Sequence, residues 1–334
     1  METLWYALLG LFFATYLVLG GYDYGTGLLL ARTRSGDDRR AMLNAVGPFF
    51  LGNEVWLVAA IGILLGAFPF LEGELLSGLY PAVALALAGV VVVTVAVQLR
   101  SRLASPRIRT AWDRAVIAGS VIAALGWGAV LAGLLQGVPL QLERHAIGVG
   151  HVFTPFVAAG ALALLALVAV HGAAFLALRL PAGQADHFAR LGRRLAPAVI
   201  GVVGLAAAVG ALSGRVRETV QQPGVAVLML VVLVTVLAVA GTAITRRPGL
   251  AFAATSVAVA LPVLLVGAAT WPYALVSSAD PAAGITVADA AASGPTLRLL
   301  TWAALPLLPA LLGFQLMSWW VFRGRTDGRA PVYW

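Results

Sequence analysis

The sequence predicts an all-α polytopic membrane protein with about nine transmembrane helices, its N-terminus outside and its C-terminus in the cytoplasm. Three observations lead there. The chain is 61% hydrophobic and 11% charged, with mean hydropathy +0.94, far from the balance of a soluble domain. Its apolar runs repeatedly reach the ~20 residues that cross a hydrocarbon core. Its basic residues, all arginine, alternate in density from one inter-span loop to the next.

The spans read from the sequence are Leu4–Leu30, Ala41–Phe68, Leu75–Gln98, Arg114–Gly137, Phe153–Leu178, Pro197–Ser213, Pro223–Thr245, Gly249–Trp271 and Leu297–Phe322. The sixth is the shortest. The first lacks a basic leading region and is too long for a signal-peptide core, so it is expected to stay as a span. Loop Ala31–Arg40 holds Arg32, Arg34, Arg39 and Arg40, and the loop after span three holds Arg100, Arg102, Arg107, Arg109 and Arg114. Arg179, Arg190, Arg193 and Arg194 follow span five, Arg246 and Arg247 follow span seven, and Arg323, Arg325 and Arg329 close the chain. That places 18 of the 22 arginines on one side, against Arg144, Arg215, Arg217 and Arg298 on the other. The positive-inside rule assigns the richer side to the cytoplasm. No soluble domain fits anywhere, so residues 1–334 read as one integral membrane domain.

Composition also excludes. There is no cysteine, so disulfides and thiolate metal sites are ruled out. A net charge of +8 in a soluble protein would suggest nucleic acid. Here the arginines orient helices and meet anionic lipid, and no nucleic-acid partner is expected. Pro272–Thr296, rich in Ser, Ala, Gly and Asp, reads as an irregular external loop. Pro48, Pro81, Pro262, Pro306 and Pro309 fall within spans, where neighbouring helices can satisfy the freed backbone groups.

Two polar interruptions carry the candidate chemistry. The first is Gly20–Gly27, with Asp23 about eight residues, or roughly 12 Å, from the cytoplasmic end of its span. The second runs from Asn44 to Trp56 and contains Asn53 and Glu54. Continuous helical spacing would put Glu54 about thirteen residues, roughly 20 Å, into span two, with Asn44 and Leu51 on its face and Phe49, Gly52, Asn53 and Trp56 on the adjoining one. A carboxylate in hydrocarbon must be paired, protonated or hydrated. Asp23 and Glu54 therefore read either as hydrogen-bonded packing residues or as members of a proton or ion relay. The glycines around Asp23 would let a helix, a lipid tail or a cofactor approach the backbone.

A haem within a helical bundle needs axial His or Met from the spans. His145, His151 and His187 fall in loops, and His171 near the cytoplasmic end of span five reads as a capping or interfacial residue. Met42, Met229 and Met317 offer no convincing pair. No residue set suggests a metal, and Trp5, Trp271, Trp319 and Trp320 read as interfacial anchors.

The Gly21-Tyr22-Asp23-Tyr24-Gly25-Thr26-Gly27 segment resembles the Gly-Phe-Asp-x-Gly-x-Gly motif of subunit II of cytochrome bd-type quinol oxidases. Arg39-Arg40, Asn44, Gly47-Pro48 and Gly52-Asn53-Glu54-Val55-Trp56-Leu57 resemble that family's second-helix motif. Further matches are Ser77-Gly78-Leu79-Tyr80, the arginine loop ending in Trp112-Asp113, His171-Gly172-Ala173, Ser277-Ser278, Thr301-Trp302 and Gly324-Arg325.

The resemblance implies a scaffold subunit of a heterodimeric, electrogenic terminal oxidase that oxidises quinol and reduces O2 to water. The haems, two b-type and one d-type, would sit in the larger subunit I, and a structural quinone or lipid could fill the interface. Small single-span accessory subunits could join, within the lipid of the bacterial cytoplasmic membrane. No catalytic, haem-binding or metal-binding residue is assigned to this chain. By position, Asp23, Asn44, Asn53 and Glu54 would be proton-path or intersubunit polar residues, and Trp56 would line the contact with subunit I. Phe50-Leu51 stands where many members have Trp followed by an acid, while Val93 and Gln98 replace an arginine and an acid. The usual proton route would then run elsewhere. Two other readings use the same residues: a secondary transporter with a midplane site at Asp23 and Glu54, and a subunit II paralogue without oxidase activity.

Overall fold

The computed structural model describes residues 1–33, 35–100, 105–141 and 148–326. Arg34, Arg102, Arg144, His145 and Arg329, counted above, lie outside the described residues. Helix α1 (Glu2–Leu29) leads into α2 (Gly36–Val46), whose N-cap Ser35 accepts from the Asp38 amide and whose first turn carries Asp37 and Asp38, as the helix dipole favours. Then come α3 (Phe50–Ala67), α4 (Pro69–Gly78), α5 (Tyr80–Arg100), α6 (Pro106–Gln136) and α7 (Pro155–Arg179). The rest comprises α8 (Ala182–Leu212), α9 (Gly214–Thr219), α10 (Pro223–Ala243), α11 (Pro248–Ala269), α12 (Val287–Ala290) and α13 (Gly294–Val321). Among the described residues nine helices are long and apolar enough to cross a bilayer, the number read from the sequence.

Three segments depart from the expected course. Span two is not one helix: the chain breaks at Gly47-Pro48-Phe49 between α2 and α3. Pro48 has no N–H to give the Asn44 carbonyl, so the ladder stops there. Glu54 consequently lies about one turn, roughly 6 Å, from the start of α3, not at mid-span, and no continuous face joins it to Asn44. The shortest expected span, Pro197–Ser213, is the second half of the 31-residue α8. Buried Ala185, Phe188, Ala189, Gly192, Ala196 and Val199 recur at helical spacing, so the arginine-bearing stretch before Pro197 is amphipathic helix, with His187 on it, and not loop. Finally, the stretch Pro272–Thr296 is not irregular throughout. Tyr273–Leu275 (β1) pairs antiparallel with Ile285–Thr286 (β2) ahead of α12.

Helix α1 is the hub, packed against α3, α6, α7 and α11, and buried without interruption from Leu19 to Gly27. Its glycines admit a helix. A Cβ at Gly25 would fall 2.0 Å from the Val168 carbonyl oxygen, and one at Gly172 would fall 2.3 Å from the Gly25 carbonyl carbon. The α1 and α7 backbones therefore touch, the close approach that small residues permit between membrane helices.

Polar ties knit the two ends of the bundle. At the arginine-rich end, Asp113 accepts from Arg39 (3.0 Å) and from the Arg100 Nε, while Gln184 donates to Asp38 (2.5 Å) and Arg325 to the Leu180 carbonyl (2.9 Å). At the other end His151 donates to the Gly78 carbonyl (2.6 Å) and the Ala292 amide to Ala67 (2.8 Å). The arginine-rich segments thus share one face of the bundle, as their alternation in sequence requires.

Candidate functional site

The polar interruptions of α1 and α3 meet. Asn53 is fully buried, and its Nδ2 lies 2.9 Å from Asp23 Oδ2, 2.7 Å from the Tyr22 hydroxyl and 3.4 Å from the Leu19 carbonyl. Asp23 is 6% exposed. Burying this carboxylate requires such a donor, since an unpaired one costs several kcal/mol, on the order of a lost charged hydrogen bond or more. Tyr22 is locked in turn: its ring stacks on Phe175 with centroids 4.3 Å apart and meets Trp319 edge-on at 6.0 Å. Asp23 Oδ1, Asn53 Oδ1, Thr26 Oγ1 and, on α6, Ser120 Oγ are buried without a hydrogen-bond partner among the described residues. Ser120 lies against Gly27, so the unsatisfied oxygens follow α1 from Asn53 toward the arginine-rich end.

Glu54 takes a different direction. One residue on from Asn53, it turns away from α1 and accepts from the Thr94 hydroxyl of α5. Asn44 is buried on α2 beyond the Gly47–Phe49 break, and among the described residues no hydrogen bond joins it to Asp23, Asn53 or Glu54. Trp56 is 3% exposed; its Nε1 donates to Gln315 of α13 at 3.1 Å and its ring lies 5.1 Å from Phe12. The indole is thus buried inside this chain, between α1 and α13.

His171 corrects another expectation. It is neither a cap nor interfacial but fully buried between helices. Its Nε2 donates to the Val18 carbonyl of α1 (2.9 Å), leaving Nδ1 to accept from Thr255 of α11 (2.8 Å), with Phe252 stacked on the ring at 5.0 Å. A carbonyl only accepts, so the pair of contacts fixes the tautomer. Trp319, half-buried near the end of α13, stacks on Phe49 at 4.7 Å within the aromatic cluster that holds Tyr22. Trp5 is buried too, donating to Thr301 of α13 at 3.3 Å.

The family model for cytochrome bd terminal oxidase subunit II matches residues 1–322. The chain belongs to that family. It is 29% identical to the cytochrome bd ubiquinol oxidase subunit 2 of Bacillus subtilis (strain 168), over 99% of this chain and 98% of the relative. It is 28% identical to the cytochrome bd-I ubiquinol oxidase subunit 2 of Escherichia coli (strain K12), over 97% of this chain and 95% of the relative. The solved structure of the bd oxidase from Geobacillus thermodenitrificans contains a chain of the same fold, with a TM-score of 0.75 at 18% identity, covering 96% of this chain and 98% of that one.

As a bd oxidase subunit II, the chain is a multi-pass protein of the bacterial cytoplasmic membrane and part of an oxidoreductase complex. The family implies haem, and the two span residues best placed for an axial ligand are already occupied: both ring nitrogens of His171 are committed to protein partners, and Met42 accepts from Thr33. The departures at Phe50, Leu51 and Val93 also find their places. Phe50 and Val93 are buried, the latter in the α5–α6 seam, whereas Leu51 is 52% exposed on the outer face of α3.

Several site residues escaped the sequence reading. Thr94, the one polar residue within Val90–Val97, was a signal available in principle. Tyr22 and Thr26 stood out only as members of the Gly21–Gly27 motif, and Ser120 gave no signal, because hydroxyl residues are ordinary in membrane helices. Asp113 was read as a loop residue; it sits on α6 with 5% of its side chain exposed, gripped by Arg39 and Arg100.

Proposed function

We propose that this chain is the haem-free scaffold of a quinol oxidase, docking a haem-bearing subunit I against the face formed by α3, α5 and α13, with its arginine-rich end in the cytoplasm. The observation that carries this is the state of α13. It packs chiefly along α3, and its 18-residue apolar core has no buried residue. Trp302, Leu305 and Leu316 project from it, continuing an apolar surface with Leu51, Val55 and Val58 of α3 and Val91 of α5. Glu54 opens onto this side. A subunit of the same family's complex is the occupant that such a face fits.

In that complex, quinol oxidation and O2 reduction to water belong to the haems of subunit I, which supply the redox chemistry. This chain's own groups position and hydrate. The unsatisfied oxygens of Asn53, Asp23, Thr26 and Ser120 form a buried line that ordered water can complete. That line leads from the arginine-rich end toward the helix pair bearing Glu54, and gives protons a course that does not need an acid at Leu51 or a charge at Val93.

The natural absence of cysteine makes the test clean. Single cysteines at Leu305 on α13 and at Leu205 on α8, both exposed in this chain, are treated with a bilayer-permeant maleimide in the purified complex and after its dissociation. The docking reading expects Leu305→Cys to be protected until dissociation and Leu205→Cys to react throughout. Equal reactivity at both positions in the intact complex would remove α13 from the interface.

A further inference from the structure

We infer that the cleft between α8 and α10 at the arginine-rich end is a binding site for an anionic phospholipid, seated with its phosphates between Arg193 and Arg246 and its acyl chains down the groove below them. The cleft encloses about 490 Å³, within the ~300–1,000 Å³ range of ligand sites. Its walls are ordered by depth. On α8, Arg193, Pro197 and Ile200 line it at i, i+4 and i+7; on the antiparallel α10, Ala238 lies eight residues before Arg246. Both arginines therefore stand at the rim, and the side chains roughly 10 Å below them are apolar. The helices close behind it, partway down, where a Cβ on Gly241 would come within 2.8 Å of the Ala196 Cβ.

The charge of the rim is uncompensated. The described ion pairs are Met1–Glu2 and those of Asp113 with Arg39 and Arg100; neither Arg193 nor Arg246 takes part, and no acidic residue lines the cleft. Thr242 adds no donor, because its hydroxyl is turned back onto the Ala238 and Val239 carbonyls. A second cleft at the same end, beside Arg32 and His187, differs in that the Asp38 carboxylate lines it, which disfavours an anion. Two guanidiniums at headgroup level above an apolar groove match an anionic headgroup above acyl chains, the arrangement by which basic pockets between membrane helices select such lipids. A zwitterionic lipid would leave the rim charge unmet, and a free phosphate would leave the groove unfilled.

The purified complex, stripped of lipid in detergent, is titrated with cardiolipin, with phosphatidylcholine and with inorganic phosphate, and bound lipid is counted by native mass spectrometry. Saturable binding of one cardiolipin is expected, with phosphatidylcholine weaker and inorganic phosphate unable to displace it. R193Q/R246Q is expected to weaken cardiolipin binding about thirtyfold, at about fivefold per arginine, whereas R323Q, on the same face but stacked over Trp320, should not. Unchanged binding by the double variant, equal binding of phosphatidylcholine, or displacement by millimolar phosphate would each overturn the assignment. Should the double variant fail to assemble, Ala238→Trp fills the groove while keeping both arginines; it must lose the lipid, and retention would refute the site.

Discussion

Replacing Asp113 by Asn tests the buried ion triad that closes the arginine-rich end. The carboxylate ties α6 to two further helices: Oδ2 meets Arg39 of α2, Oδ1 meets Arg100 of α5, and Arg39 also donates to the Thr33 carbonyl at 2.8 Å. Side-chain exposure is 5% for Asp113, 8% for Arg100 and 22% for Arg39. The Asn variant is isosteric, so packing is kept while the charge is removed. Arg100 is then left almost wholly buried without its anion, and breaking a buried pair in this way costs about 3–5 kcal/mol. If most of that loss falls on the unfolding rate, the half-life of the complex at elevated temperature shortens by about a hundredfold or more. The assay is thermal inactivation of the purified complex, followed by quinol oxidation. The companion D113N/R100Q removes both charges and should recover much of the loss, since a neutral pair leaves no stranded ion. A D113N half-life equal to wild type would refute the reasoning, as would a double variant no better than D113N.

The remaining predictions follow from single contacts. Gly172→Val places a Cβ 2.3 Å from the Gly25 carbonyl carbon, where ordinary contact begins near 3.4 Å. Forcing α1 and α7 apart should cost about 1–3 kcal/mol, seen as a lowered melting temperature of the complex; an unchanged one would contradict the backbone contact. Asn53→Leu removes the donor to Asp23 and Tyr22 and should destabilise by about 1–3 kcal/mol for each group left unsatisfied, with Leu→Ala at exposed Leu205 as the silent comparison. Glu54→Gln should lower turnover with haem content intact; wild-type turnover would take Glu54 off the proton course, and loss of haem would assign it to assembly instead. At the end of the bundle opposite the arginine-rich one, burial pushes the His151 imidazole below its ordinary value of about 6.5, the Gly78 carbonyl opposing and Arg215 adding to the shift. The unfolded state then takes the proton first. His151's contribution is complete above about pH 6.5 and is lost as pH falls through the lower folded value. Hydrogen exchange around residues 150–153 should rise on acidification in wild type and lose that pH dependence in His151→Gln.

Much of the architecture is legible in the sequence because hydropathy and arginine placement respond to the bilayer directly. Nine spans and a shared face for the arginine-rich segments need no knowledge of which helix touches which. What was misread depends on local backbone chemistry or on partners distant in sequence. Pro48 was visible, yet whether it kinks or breaks a helix depends on what receives the freed Asn44 carbonyl, so Glu54 was placed too deep. The arginines at the start of α8 lower its local hydropathy and make it read as loop, although the spacing of Ala185, Phe188, Ala189 and Gly192 carries the helical period. The candidate site was half legible. Asp23, Asn53 and Glu54 stand out as polar groups that hydrocarbon will not tolerate unpartnered. Their partners Tyr22 and Thr94, and the burial of His171 and Trp56, are consequences of packing between helices that no periodicity encodes.

The account rests on this chain being one half of a haem-bearing oxidase, and one preparation tests that most directly. The chain is tagged, purified from its native membrane in mild detergent, and examined by a reduced-minus-oxidised visible spectrum beside a subunit gel. A larger membrane subunit co-purifying with b- and d-type haem bands is the predicted result. A lone, colourless 34.5 kDa chain, under conditions that preserve other membrane complexes, would contradict it.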